Sequence, residues 1–263
     1  MTPEESIAHF NTIWEGGYFE GDPLDPMAPS SYAQFGYNSV LYTTYLVCIK
    51  PYVNADTTVI EIGPGRGAWT NTFVRQKAKR IFALDAAPPE RTEFWTHVGR
   101  RPEITYITVK DFSLSDVPDD SADYFFSFGV FCHLDKELAK EYLRNLFRKL
   151  TSGANGFLMV GDYDKYNSLC QRQQRFSVFD RLLDIRRRRL ALVRGAMRLA
   201  TAIPGLRNTL TPLDRSTPLR TGHSFRDFPI DELSDYLARI GFVVVEKDVG
   251  VNHRDPVTHF RKP

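Results

Sequence analysis

Cysteine is scarce in this chain of 263 residues: Cys48, Cys132 and Cys170 stand far apart, with no CxxC pair. That count excludes a disulfide scaffold and the common zinc and thiol-redox motifs, and it leaves three free, buried thiols as the expectation. Long apolar runs are missing too. No stretch of about 18 or more uncharged apolar residues occurs, so no membrane-spanning helix is expected. The first ten residues, MTPEESIAHF, are acidic where a leader would be basic and have no apolar core, so the expected location is cytoplasmic, with peripheral contact at the inner membrane face as a variant. A third absence concerns phosphate. The glycine-rich stretch VIEIGPGRGAWT (59–70) lacks the lysine and hydroxyl that must follow the last glycine of a phosphate-binding P-loop, because Gly67 is followed by Ala68, Trp69 and Thr70.

What is present is an ordinary globular composition, 42% hydrophobic and 25% charged, with a formal net charge of +2. The charge is uneven. Residues 1–60 hold seven acids against one lysine, whereas 165–227 hold fourteen Lys/Arg against four Asp, so an anionic partner would meet the later segment.

Short apolar runs suited to strands buried on both faces occur at 58–62, 80–84, 104–109, 122–128 and 156–160. Between them lie helical stretches. In the one that Asp135 begins, Ala139, Tyr142, Leu143, Leu146, Phe147 and Leu150 recur at helical spacing, and a break at Ser152-Gly153 precedes the next strand. The end of the chain reads as a helix (230–240), a strand (242–247), a turn (250–255) and a last strand (257–260); two strands joined without a helix pair as an antiparallel hairpin. The expected fold is α/β: a doubly wound, mostly parallel seven-stranded sheet with a C-terminal antiparallel hairpin and a helical basic insert after strand five. Residues 1–50 read as an N-terminal lid and helix, and 51–263 as a Rossmann-like domain with its insert at 163–227. The lid segment, 15–39, is rich in Gly, Pro and aromatic residues.

The glycines match a dinucleotide fingerprint at Gly63, Gly65 and Ala68, with Asp85 as a distant acid. Glu61 inside the strand and Gly67 make the pattern E-x-G-x-G-x-G instead. With Asp85 ending strand two and Asp111-Phe112 following strand three, the sequence resembles the class I S-adenosylmethionine-dependent methyltransferases over about 40–160 and 228–263. The resemblance implies a cofactor site built from Glu61, Gly63, Pro64, Gly65, Gly67, Asp85, Ala86, Asp111, Phe112 and Gly129. The chemistry agrees with it. A zwitterionic nucleoside without phosphate needs bare backbone and a helix N-terminus for its carboxylate. Its two ribose hydroxyls need an acceptor such as Asp85, and adenine needs an acceptor beside an aromatic face. Capping roles for Asp85 and Asp111 are the plainer alternative.

For the methyl acceptor, the carboxyl ends of strands four and five are the expected place. His133 is the candidate general base, Asp162 a candidate orienting acid, and His223 a second base returning from the insert. A divalent cation held by Asp162, Asp164 and Asp111 is an alternative to two solvated loop acids, and no metal ligands are assigned. The function read here is O-methylation of a saccharide or another polar, lipid-linked or anionic small molecule. Its alternatives are a non-catalytic S-adenosylmethionine-fold binding protein and a nicotinamide oxidoreductase. In 172–207, Phe179, Leu183, Leu190, Val193 and Met197 form one stripe opposite Arg181, Arg188 and Arg189, although Leu192 and Leu199 fall with the arginines. Three uses compete for it: a lid, peripheral membrane contact, or a substrate clamp. Nucleic acid is not expected, because the arginines are not interleaved with aromatics.

Overall fold

Seven strands form one sheet in the computed structural model, which describes residues 2–13, 21–26, 39–174 and 226–263. The strands are β1 (Thr58–Ile62), β2 (Arg80–Asp85), β3 (Ile104–Thr108), β4 (Ala122–Ser127), β5 (Leu150–Met159), β6 (Val243–Glu246) and β7 (Val257–Arg261), in the order β3-β2-β1-β4-β5-β7-β6. β1 to β5 run parallel, and β7 is antiparallel to both β5 and β6. The mostly parallel sheet and its antiparallel C-terminal pair are as the sequence leads one to expect. The reversed β7 between β5 and β6 also departs from the 3-2-1-4-5-6 order of dinucleotide-binding sheets.

The period of two along each strand sends neighbouring side chains to opposite faces. Ile60, Ile62, Phe82, Leu84 and Phe125 pack on one side with α5 (Lys136–Lys149) and α7 (Ile230–Arg239). Val59, Ile81, Ala83, Tyr124 and Phe126 pack on the other with α2 (Val40–Thr44), the π-helical turn Tyr45–Ile49 that extends it, α3 (Ala68–Arg75) and α4 (Phe94–Val98). The core is therefore doubly wound, and both layers are built from the alternation of single strands. α1 (Pro3–Ile13) opens on a capping box: Thr2 Oγ1 accepts from the Glu5 N–H at 3.1 Å, and Glu5 Oε2 accepts from the Thr2 N–H at 2.8 Å.

One boundary differs from expectation. α5 passes into β5 at Leu150 without a turn, and Ser152-Gly153 lies inside the strand rather than before it. The pairing jumps there from Ala122–Leu150 to Tyr124–Asn155, so Gly153, at φ +85°, marks a bulge; its N–H donates to Lys262 O at 2.8 Å. A glycine inside a strand signals a break or a bulge equally well in sequence.

The chain divides into two compact units, residues 1–162 with 224–263, and residues 163–223. In the second, α6 (Tyr163–Gln174) is described; most of the basic stretch 172–207 lies outside the described residues, as do 27–38 and 14–20 of the expected lid. The return of the chain to the first unit is firmly fixed. Arg226 N–H donates to Cys132 O at 2.7 Å, Phe228 N–H to Gly161 O at 2.8 Å, and Arg226 pairs with Asp135 at 3.2 Å.

Candidate active site

A cavity of about 270 Å3 opens at the carboxyl edge of the sheet. The glycine loop forms one wall. Gly63, Gly65 and Gly67 all have positive φ (75°, 55° and 90°), which L side chains adopt only with strain. Gly63 N–H donates to Leu84 O at 2.8 Å, extending the β1–β2 ladder by one bond, and Gly67 N–H closes the loop onto Pro64 O at 2.8 Å. Two of the three glycines are also places of close packing. A Cβ on Gly63 would stand 2.0 Å from Val130 Cγ2, and one on Gly67 would stand 2.1 Å from Val98 Cγ2. Gly63 therefore seats the loop that follows β4, and Gly67 seats α4. Gly63, Pro64 and Gly65 line the cavity; Gly67 is not among its lining residues.

Asp85 stands at the end of β2 and is held by two backbone donors, Gly65 N–H to Oδ2 and Ala87 N–H to Oδ1, each at 3.0 Å. Burial raises its pKa, and the N–H groups of Ala87, Gly65 and Ala86 oppose the rise. The carboxylate is thus fixed against the glycine loop and faces the cavity with Ala86 and Ala87. Further along the wall, Phe112 stacks on Tyr142 with centroids 4.9 Å apart, and both rings line the cavity. Asp111 does not. It is exposed, and Oδ1 accepts from Ser113 N–H at 2.8 Å and Ser113 Oγ at 2.5 Å, which holds its carboxyl below the usual range. The local turn, rather than the cavity, uses that acid.

Glu61 lies behind the wall. It is 1% exposed; Oε2 accepts from Thr70 Oγ1 of α3 at 2.6 Å, and Oε1 has no partner among the described residues. Burial pushes its pKa up from 4.5 to about 8, with the Thr70 hydrogen bond opposing and the Asp85 charge adding to the rise. A carboxyl whose folded pKa is raised stabilises the fold in its neutral form, so this contribution is complete below about 4.5 and is lost as pH rises to about 8. Glu61→Gln should remove that dependence. Over this window the wild type is expected to lose up to about 1.4 kcal/mol per pH unit relative to the variant, a difference that paired thermal melts at pH 5, 7 and 8.5 would read.

The loop after β4, packed beside the glycine loop, supplies the next part of the wall. Gly129 (φ +82°), Val130, Cys132 and His133 line the cavity, His133 ending a 3-10 turn (Phe131–His133) whose N–H donates to Val130 O at 2.9 Å. Asp162 is elsewhere. It is 4% exposed, and Oδ2 accepts from the Ile230 N–H at 2.9 Å, so it caps the first residue of α7 from 68 positions away. His223 lies outside the described residues. Among the described residues, no three His, Cys, Asp or Glu side chains are grouped to hold a metal ion. Ile7, Gly21, Pro23 and Leu41 bring the N-terminal segment to the cavity.

The set fits a sulfonium nucleoside: an anchored acceptor at Asp85, apolar and aromatic faces beyond it, and bare backbone at Gly63–Gly65. Residues 60–158, the stretch from β1 to β5 that builds these walls, match the model of a family described as "Methyltransferase domain". They form a class I S-adenosylmethionine-dependent methyltransferase domain. The fold of the chain is also that of solved relatives. An S-adenosylmethionine-dependent methyltransferase from Mesorhizobium loti is 13% identical over 84% of this chain and 97% of that one, with a TM-score of 0.53. The 1,6-didemethyltoxoflavin-N1-methyltransferase of Burkholderia thailandensis, solved with 1,6-didemethyltoxoflavin and S-adenosylhomocysteine, is 15% identical over 85% and 77%, with a TM-score of 0.50. No curated protein matches the chain in sequence.

Two lining residues of the methyltransferase domain carry no signal in the sequence. In sequence Tyr142 is one more apolar position of α5, and Arg254 one residue of the 250–255 turn. Only the pairing of β7 with β5 reveals that the β6–β7 turn lies at the edge where the cavity opens.

Proposed function

We propose that the domain transfers a methyl group to a hydroxyl oxygen of a polar small molecule, a saccharide being the first class to test, with His133 as the general base. The observation that supports this reading is that Asp85 and His133 line one cavity, from β2 and from the turn just after β4. The turn reads Phe128-Gly129-Val130-Phe131, without the Asn/Asp-Pro-Pro-Tyr pattern that favours an amino acceptor.

When bound, S-adenosylmethionine supplies an electrophilic methyl carbon on a positive sulfur. Asp85 would accept the ribose hydroxyls, Phe112 and Tyr142 would offer faces to the base, and Gly63–Gly65 would admit the amino-acid portion close to the backbone. His133 would take the proton of the acceptor hydroxyl as its oxygen gains the methyl group that the bound cofactor would supply, the thioether product being the leaving group. Glu61 serves the site indirectly, by tying α3 to β1.

The reading is tested with labelled cofactor and a panel of saccharides and hydroxylated metabolites. His133→Gln is expected to lower kcat roughly 100- to 10,000-fold with little change in cofactor affinity. An unchanged kcat removes His133 from the mechanism. Whether 172–207 touches membranes is a separate matter, read by partition onto anionic vesicles before and after Arg186–Arg189 are changed to Gln.

A further inference from the structure

Trp69 lines the same cavity and has no part in the scheme above. It is the second residue of α3, two positions after Gly67, and is 8% exposed. Its ring stands against Phe126 and Phe128, with centroids 5.0 Å from each, and the planes of those two rings lie 6° apart. The indole is thereby fixed in place by aromatic packing. Its polar atom is unspent. Among the described residues the indole Nε1–H donates to nothing; the bond from Thr72 Oγ1, at 2.6 Å, goes to the backbone carbonyl of Trp69. Nor is Nε1 one of the enclosed side-chain atoms without a partner, which among the described residues are Glu61 Oε1, Arg91 Nε and Thr258 Oγ1. It therefore keeps an opening, and for a side chain that lines the cavity and is otherwise buried that opening is the cavity itself.

A nearly buried indole ordinarily finds a hydrogen-bond partner, because an N–H taken out of water and left unpaired is costly. A wall that needed only an apolar filler would be served by leucine or phenylalanine without that cost. An N–H donor held rigidly at a cavity wall is suited to a ligand that brings an acceptor atom to it.

The layer to which Trp69 belongs selects the ligand. Phe112 and Tyr142, the faces offered to the base, lie in the core layer of α5 and α7. Trp69 lies in the opposite layer, with Leu41 of α2 and Met159 at the end of β5, which also line the cavity. The cavity thus has two apolar ends, one on each side of the sheet. The base takes the first. The second lies at the ends of β1, β4 and β5, the edge expected to receive the acceptor. We propose that Trp69 is a specificity residue of the acceptor subsite: its indole bounds the apolar face of an acceptor ring, and Nε1–H donates to the ring oxygen substituent next to the hydroxyl that is methylated. A saccharide ring, with its C–H face and flanking hydroxyls, and an aromatic diol both have this chemistry. The assignment rests on the reading of this cavity as the methyl-transfer site.

The test supplies wild type and Trp69→Phe, which keeps an aromatic ring and loses the N–H, with methyl-labelled S-adenosylmethionine and a small-metabolite extract in serial dilution. Trp69→Phe is expected to lower transfer at least tenfold at limiting extract and less than threefold at saturating extract, whereas the loss in His133→Gln should persist at saturation. Its affinity for S-adenosylhomocysteine, by calorimetry, should stay within threefold of the wild type, which also shows that the variant is folded. The wild-type product is expected to carry its label on a ring with a second, adjacent oxygen; release of a labelled sugar by acid hydrolysis, or near-ultraviolet absorption by the labelled product, tells the two sources apart. This second readout needs no variant. Equal transfer by Trp69→Phe at every dilution, or label on an acyclic or singly hydroxylated acceptor, overturns the assignment and leaves methyl transfer standing. A tenfold or larger loss of S-adenosylhomocysteine affinity in a variant that melts with the wild type overturns it in favour of the cofactor. An absence of transfer to any product by the wild type sinks both this assignment and the methyl-transfer reading.

Discussion

Gly63→Ala is expected to destabilise the protein by roughly 2–4 kcal/mol and to lower its melting temperature by about 5–15 °C. Two costs add. The new Cβ would stand 2.0 Å from Val130 Cγ2 and 3.3 Å from Val130 Cβ, so the whole valine has to move and not merely its tip. The backbone at φ +75° adds the strain of a left-handed L residue, about 1–2 kcal/mol. The two are separable. Gly63→Ala with Val130→Ala should recover the first cost and keep the second. Gly129→Ala is the matched control, since Gly129 has nearly the same φ (+82°) but nothing within 4 Å of a Cβ among the described residues, and it should show the backbone cost alone. Methyl transfer should suffer more than stability does, because Val130 leads directly into the turn that ends at His133.

Asp85→Ala is expected to weaken S-adenosylhomocysteine binding at least 100-fold, since it removes two hydrogen bonds to a charged acceptor at about 1.5–3 kcal/mol each. Stability should move in the opposite sense or hardly at all. Burial holds the Asp85 pKa above its ordinary 3.8, so keeping this carboxyl in the folded protein carries a cost that grows as pH rises above 3.8, and removing the group relieves it. A variant that melts within about 1 kcal/mol of the wild type and fails to bind would show an acid kept for its ligand. Asp85→Asn should bind poorly as well. One of its two positions becomes a donor and meets the N–H of Gly65 or Ala87 that an oxygen accepts from now. Equal binding by wild type and Asp85→Ala would remove Asp85 from the cofactor site.

The sheet was legible because its strands are short apolar runs with a period of two, and Val59–Ile60 or Phe125–Phe126 can satisfy two core layers only if helices cover both faces. The start of β5 was not legible, since Gly153 reads alike as a stop and as a bulge. The glycine loop and Asp85 were legible as a pattern, because backbone approach and an acceptor at a strand end are local requirements. What each acid does was less so. Glu61, Asp85, Asp111 and Asp162 are indistinguishable as residue types, yet one is buried against Thr70, one faces the cavity, one closes an exposed turn, and one caps a helix 68 positions away. Those fates are set by contacts between distant segments. Tyr142 and Arg254 reach the cavity wall through the same kind of long-range contact.

Calorimetric titration of S-adenosylhomocysteine into the wild-type protein, with NADH titrated in parallel, tests the central claim most directly. One molecule of S-adenosylhomocysteine bound per chain, abolished by Asp85→Ala and accompanied by no heat from NADH, is the result expected of this cavity. No binding of S-adenosylhomocysteine, or tight binding of NADH in its place, would contradict it.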